Sequence, residues 1–321
     1  MDKFLDGVTP MKVVLLAASL IAFAYLFGFT FAVVLLACLF IHEMGHVWAM
    51  KLYGVPVKGI YFIPFMGAVA VASKKFPSRQ AEVVIALMGP FWGLGTAVVL
   101  GAGYVFTSNP DIAVMAAMIA LVNLFNLVPI NPLDGGRAVK SILVSIHQKS
   151  GLVFLGTMLV CIVVLYFYTS SFMFLLVLFA SFGEFVNELR EMYQQKDREN
   201  MLHALAEFLG CEKDISVVSE KMLSLRVMSD TRLYQCGIIS SDARGVYRLP
   251  FAKGYATSIE LIDDVEKLVL FLRQTELPKM RLGGIVLGSL AYVGLIFLLL
   301  VVTSLSMMAP GAMESFQHLR R

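Results

Sequence analysis

Long uninterrupted apolar runs set the pattern of this chain. The first covers about Met11 to Phe27, with Gly28 marking a tight connection, and the second about Phe31 to Leu52. Others lie at about Gln80 to Thr107, from the turn at Ser108–Asp111 to about Ile130, and at about Leu152 to Tyr168, Phe172 to Val186 and Leu282 to Met308. Runs of this length with few charges predict transmembrane helices. The stretch Val57 to Ala72 breaks the pattern. It is rich in Val, Ile, Tyr and Phe, but Pro64 and Gly67 interrupt it and it is too short to span. A strand pair dipping into the membrane surface is expected there, where protein or a water cavity can satisfy its backbone. The fold class that follows is an all-α polytopic membrane protein of about seven transmembrane helices with a short re-entrant β segment.

Composition sharpens this picture. The 321 residues are 58% hydrophobic and only 15% charged, with a mean hydropathy of +0.78, outside the range of ordinary soluble domains. The charge is concentrated: 15 of the 23 acidic and 14 of the 26 basic residues lie between Glu188 and Arg281. A soluble segment therefore interrupts the membrane body. Within it a charged helix from about Glu188 to Leu209 continues out of the sixth span, and Leu233–Ser240 and Gly245–Phe251 alternate like short strands. Thr257 with Glu260 forms a capping box for a helix over Ile259–Arg273. The expected organisation is a six-span core (1–188), a small α+β cytoplasmic regulatory or docking domain (189–281), a seventh span (282–308) and a short tail (309–321). A spacer that merely delivers the chain to the last span is the bland alternative, although loops this long are usually functional or domain-forming. A net charge of +3 without a basic patch gives no reason to expect nucleic acid as a partner.

Loop charge gives an orientation. Lys3 and Lys12 precede the first run; Lys51, Lys58, Lys74, Lys75 and Arg79 follow the second; Arg137, Lys140 and Lys149 follow the fourth. The connections after the first, third and fifth runs hold no Lys or Arg. The positive-inside rule places the N-terminus, both basic loops and residues 189–281 in the cytoplasm. The expected location is a bacterial cytoplasmic (inner) membrane, crossed several times, with the lipid bilayer as a partner. The four cysteines (Cys38, Cys161, Cys211, Cys236) show no ligand spacing and read as reduced thiols.

The candidate chemistry begins inside the second run, at Ile41-His42-Glu43-Met44-Gly45-His46. A helix stacks His42 and His46 on one face, four residues apart, with Glu43 close by. In this HExxH arrangement two histidines hold zinc and the glutamate serves as general base. Incidental polar decoration of a membrane helix is the bland alternative, but buried polar groups there are costly unless they have a function. A catalytic zinc site needs a third protein ligand and an open fourth position. Outside residues 188–281 the acids are few, and Asp134 is the one on the cytoplasmic side among helix breakers, with Pro129 and Pro132 before it and Gly135 and Gly136 permitting a turn. A plain surface turn accounts for the same residues.

With those residues in view, the chain resembles the site-2 proteases, zinc metalloproteases that cleave within the membrane. The resemblance rests on His42-Glu43-Met44-Gly45-His46 and on Asn126-Leu127-Val128-Pro129-Ile130-Asn131-Pro132-Leu133-Asp134-Gly135-Gly136-Arg137, and Ala86-Leu87-Met88-Gly89-Pro90 is also similar to the family. It covers about Met11 to Val186. It implies a Zn2+ cofactor held by His42, His46 and Asp134, Glu43 as general base, and Asn126 holding the substrate backbone or the developing oxyanion. It also implies transmembrane protein substrates, with a cytoplasmic regulator possible at 189–281. Two other classes remain open: a zinc-binding membrane scaffold that does not cleave, and a metal transporter. Glu184 is expected to snorkel or to bond a neighbouring helix, and His147, His203 and His318 to be solvated.

Overall fold

The structure is a computed structural model and describes residues 10–64, 67–209, 212, 214, 216–218 and 277–319. The strands expected at Leu233–Ser240 and Gly245–Phe251 and the helix at Ile259–Arg273 lie outside the described residues. The elements in order are α1 (Pro10–Phe27), α2 (Phe29–Leu52), β1 (Val57–Ile63), β2 (Gly67–Ala72), α3 (Arg79–Thr107), α4 (Pro110–Asn126), α5 (Asp134–Ile146), α6 (Ser150–Thr169), α7 (Phe172–Leu209), α8 (Leu282–Met307) and α9 (Ala312–Leu319). Chain contacts divide the molecule into two compact units, 1–186 with 277–321, and 187–276.

Local sequence explains where the helices begin and end. Ser78 caps α3 by accepting from the Ala81 N–H at 3.1 Å, and Asn109 caps α4 by accepting from Asp111 N–H at 2.9 Å. Pro110 opens α4, where its missing N–H costs nothing. β1 and β2 pair antiparallel with Ile60 opposite Ala70, and the register shifts between Val57 and Gly59. This is the strand pair expected at Val57–Ala72.

Four helices, α2, α3, α6 and α8, are long and apolar enough to cross a membrane, while α1 and α4 are apolar but shorter. In α2 and α3 half of the apolar window is buried by protein, but in α6 only 17% and in α8 only 11%. An apolar helix with so little protein cover is suited to lipid contact. The chain is a membrane protein of mostly helical architecture with a small two-stranded sheet.

The core is built on α3. Val83, Ala86, Leu87, Leu94 and Ala97 pack against Ile119 and Ala120 of α4, Ala138 and Ile142 of α5, and Leu295 and Leu299 of α8. The sheet lies over α1 and α2, with Phe62 packed among Phe23, Leu36 and Leu39. One expectation needs correcting. Gly135 and Gly136 do not make a turn; they begin α5, and neither has a positive φ. A Cβ on Gly135 would lie 2.1 Å from the Leu127 carbonyl oxygen, and one on Gly136 would lie 2.4 Å from Asn131 N. The glycines are there because the Leu127–Asn131 loop passes directly beneath the first turn of α5.

Candidate metal centre

α2 presents His42 and His46 on one face, as the four-residue spacing requires, and both are buried. α5 brings Asp134, at its first position, to the same point. His42 Nε2 and His46 Nε2 are 3.0 Å apart, and Asp134 Oδ2 lies 2.9 Å from the first and 3.1 Å from the second. Among the described residues these three form the group able to hold a metal ion.

The outer ring nitrogens decide what faces the centre. His46 Nδ1 lies 2.7 Å from the Ile85 carbonyl oxygen, which can only accept, so Nδ1 carries the proton. His42 Nδ1 lies 2.8 Å from Asn123 Oδ1, while Asn123 Nδ2 donates to the Ile119 carbonyl at 2.7 Å. The amide is thereby oriented with its oxygen toward His42, and Nδ1 donates there as well. With the rings neutral, as a metal ligand requires, both Nε2 atoms then point lone pairs at each other and at a carboxylate. Three electron-rich atoms at about 3 Å repel unless a cation lies between them.

The space for that cation is cut out of α3. A Cβ on Gly89 would fall 2.4 Å from His46 Nε2 and 2.8 Å from His42 Nε2, in front of both lone pairs. A Cβ on Gly93, one turn on, would collide with the Asn123 amide at 2.0 Å. Gly45, between the histidines, lets the Met88 carbonyl approach to where a Cβ would meet it at 2.4 Å. The donor set, the fixed tautomers and this cradle fit a divalent ion with nitrogen and oxygen ligands.

Glu43 is buried beside the ligands, and its Oε2 accepts from the Ala70 N–H of β2 at 2.6 Å. Asn126 ends α4 and is partly buried; the asparagine that bonds His42 is Asn123, one turn earlier. Asn123 went unassigned in the sequence because its role depends on which residue faces it across the helix pair. Glu184 lies 3.8 Å from Lys140 Nζ, an ion pair between α7 and α5. His147 and His203 are exposed, as solvated histidines would be.

A family model described as Peptidase family M50 matches residues 30–113, which include His42, Glu43 and His46. Zinc metalloprotease MJ0392 of Methanocaldococcus jannaschii is 33% identical over 116 residues, 35% of this chain and 33% of that protein. Putative zinc metalloprotease Rip3 of Mycobacterium tuberculosis is 34% identical over 134 residues, 39% of this chain and 34% of that protein. Putative zinc metalloprotease sll0528 of Synechocystis is 31% identical over 137 residues, covering 40% of this chain and 35% of that protein. The chain spans about a third of the length of these curated relatives. A solved structure titled Site-2 Protease from Methanocaldococcus jannaschii is 22% identical, with a TM-score of 0.42, covering 54% of this chain and 88% of that one. Asp134 lies beyond the matched M50 residues, and the fold brings it to the two histidines within them.

Proposed function

We propose that this chain is an intramembrane zinc metalloprotease of the site-2 type, hydrolysing peptide bonds in the transmembrane segments of membrane-protein substrates. The observation that carries the reading is the meeting of His42 Nε2, His46 Nε2 and Asp134 Oδ2, with both Nδ1 protons already committed elsewhere. These three residues would hold the ion and leave its fourth position open. Bound there, zinc supplies a water acidified to a pKa of about 7 and polarises the scissile carbonyl. Glu43 takes the water's proton and hands it to the leaving amine, with Oε1 free for the task while Oε2 is engaged by the Ala70 N–H. The Asn126 amide donates to the oxyanion that develops on the substrate.

A peptide bond inside a helix is shielded, so the substrate segment must unwind locally. An extended segment pairs with the edge of β2, whose Ala70 N–H faces Glu43, and backbone hydrogen bonds give sequence-tolerant affinity. With α1, α4 and the apolar part of α7 counted as spans, the chain crosses an inner membrane seven times with its N-terminus in the cytoplasm. The segment 189–281 is then a cytoplasmic regulatory or docking domain.

The test separates holding the metal from using it. Purified full-length variants are assayed for zinc content and for fragments of a co-expressed membrane-protein substrate. Glu43→Gln keeps zinc and loses cleavage by about 100-fold or more, because an amide cannot accept the proton. His46→Ala and Asp134→Ala lose zinc and cleavage together. Undiminished cleavage by Glu43→Gln would remove the hydrolytic reading, and full zinc occupancy in Asp134→Ala would move the third ligand elsewhere.

A further inference from the structure

Tyr292 lies on α8, 165 residues along the chain from Leu127 and far outside the matched M50 residues. Its hydroxyl donates to the Leu127 carbonyl oxygen at 2.7 Å. Leu127 follows Asn126 as the C-terminal cap of α4 and is 1% exposed. Carbonyls at the end of a helix lack intrahelical donors, and in apolar surroundings an unpaired one is costly. The tyrosine therefore meets a real deficit and holds the carbonyl at a defined place.

That place matters to Asp134. The Leu127 and Val128 carbonyl oxygens would lie 2.1 and 2.6 Å from a Cβ on Gly135, the residue next to the third ligand. No room is left between them even for a methyl group, so the loop and the first turn of α5 are packed directly together. The segment leading into α8 is itself tied to α5, where the Met280 N–H donates to Ser145 Oγ at 3.2 Å. We propose that Tyr292 is a positioning residue of the metal centre: its hydroxyl fixes the Leu127 carbonyl and, through the loop to Leu133, the placement of Asp134. The inference rests on the metalloprotease reading for its consequence, though not for its mechanics. It makes the last apolar helix a working part of the site rather than an added anchor.

Two measurements on the full-length protein in detergent test it. Hydrogen exchange of the amides of residues 127–133 is followed in metal-free protein, and zinc affinity is measured by competition with a chromophoric chelator. Tyr292→Phe keeps the ring and deletes the donor. It should quicken exchange in the loop and weaken zinc binding by about tenfold, the size of effect seen when the partner of a metal ligand is lost. Thr303→Val is the control, since it removes another α8 hydroxyl, one bonded only within its own helix to the Leu299 carbonyl. Wild-type exchange and zinc affinity in Tyr292→Phe, or the same changes in Thr303→Val, would overturn the proposal. Quickened exchange in Tyr292→Phe, in a protein whose wild type binds no zinc, would uphold the brace and sink the metal reading instead.

Discussion

At Gly89 the difference between a metal cradle and a plugged one is a single methyl group. Its Cβ would stand 2.4 Å from His46 Nε2, a distance no carbon can hold, and the obstruction includes a ring fixed by its own bond to Ile85. Gly89→Ala is therefore expected to abolish metal binding while costing about 1–3 kcal/mol of stability as an overpacking change. Gly95 on the same helix faces open space, so Gly95→Ala should leave zinc content at the wild-type value. Zinc analysis and thermal unfolding of the two variants check the contrast; equal zinc in both would mean that α3 does not form the cradle. The role of Gly89 was not visible in the sequence. A run such as Gly89-Pro90 followed by Gly93 reads as close helix packing, and so it is, but what approaches is a pair of imidazoles and an asparagine rather than a bare helix face. A glycine records that something comes near without recording what.

At the scale of elements, α5 carries Asp134, the proposed third ligand, and is bonded to α3. Glu82, buried in the first turn of α3, accepts from Ser141 Oγ of α5 at 2.7 Å and from Arg79 Nη1 at 3.2 Å. A buried carboxylate that loses a donor retains its desolvation cost without the compensating bond. Ser141→Ala should therefore destabilise the protein by about 1–3 kcal/mol. Thermal unfolding in detergent measures it, and an unchanged midpoint would mean that water replaces the hydroxyl. How legible these elements were depended on periodicity. The spacing of His42 and His46 fixes a shared face by helix geometry alone, and the Pro64–Gly67 break marks the hairpin, so both could be read in advance. The helix that starts at Asp134 could not, because two glycines and flanking prolines imitate a turn. Only the loop packed beneath α5 explains why glycine is needed there. Asn123 was hidden for a related reason. A helix pattern says which residues point the same way, whereas the partner across the interface is set by how α2, α3 and α4 cross.

For the whole molecule, every residue assigned to the metal centre, its ring partners and its brace lies in the unit made of 1–186 and 277–321. Residues 187–276 form the other unit and supply none of them. Metal binding and control should therefore be separable. Replacing residues 210–276 with a flexible linker keeps α7, α8, Tyr292 and the Met280–Ser145 bond in the chain. The expected outcome is zinc content and affinity within about twofold of wild type, because no ligand or ligand partner is removed. Cleavage should change in which substrates are cut, or when, if the segment docks or regulates. The measurement pairs zinc titration with a fragment profile of candidate membrane proteins, taken for wild type, the replacement and Glu43→Gln as the inactive reference. A replacement that cuts the same substrates at the wild-type rate under the same control would reduce residues 187–276 to a spacer. Loss of zinc from the replacement would mean that the centre is not self-contained in residues 1–186 and 277–321.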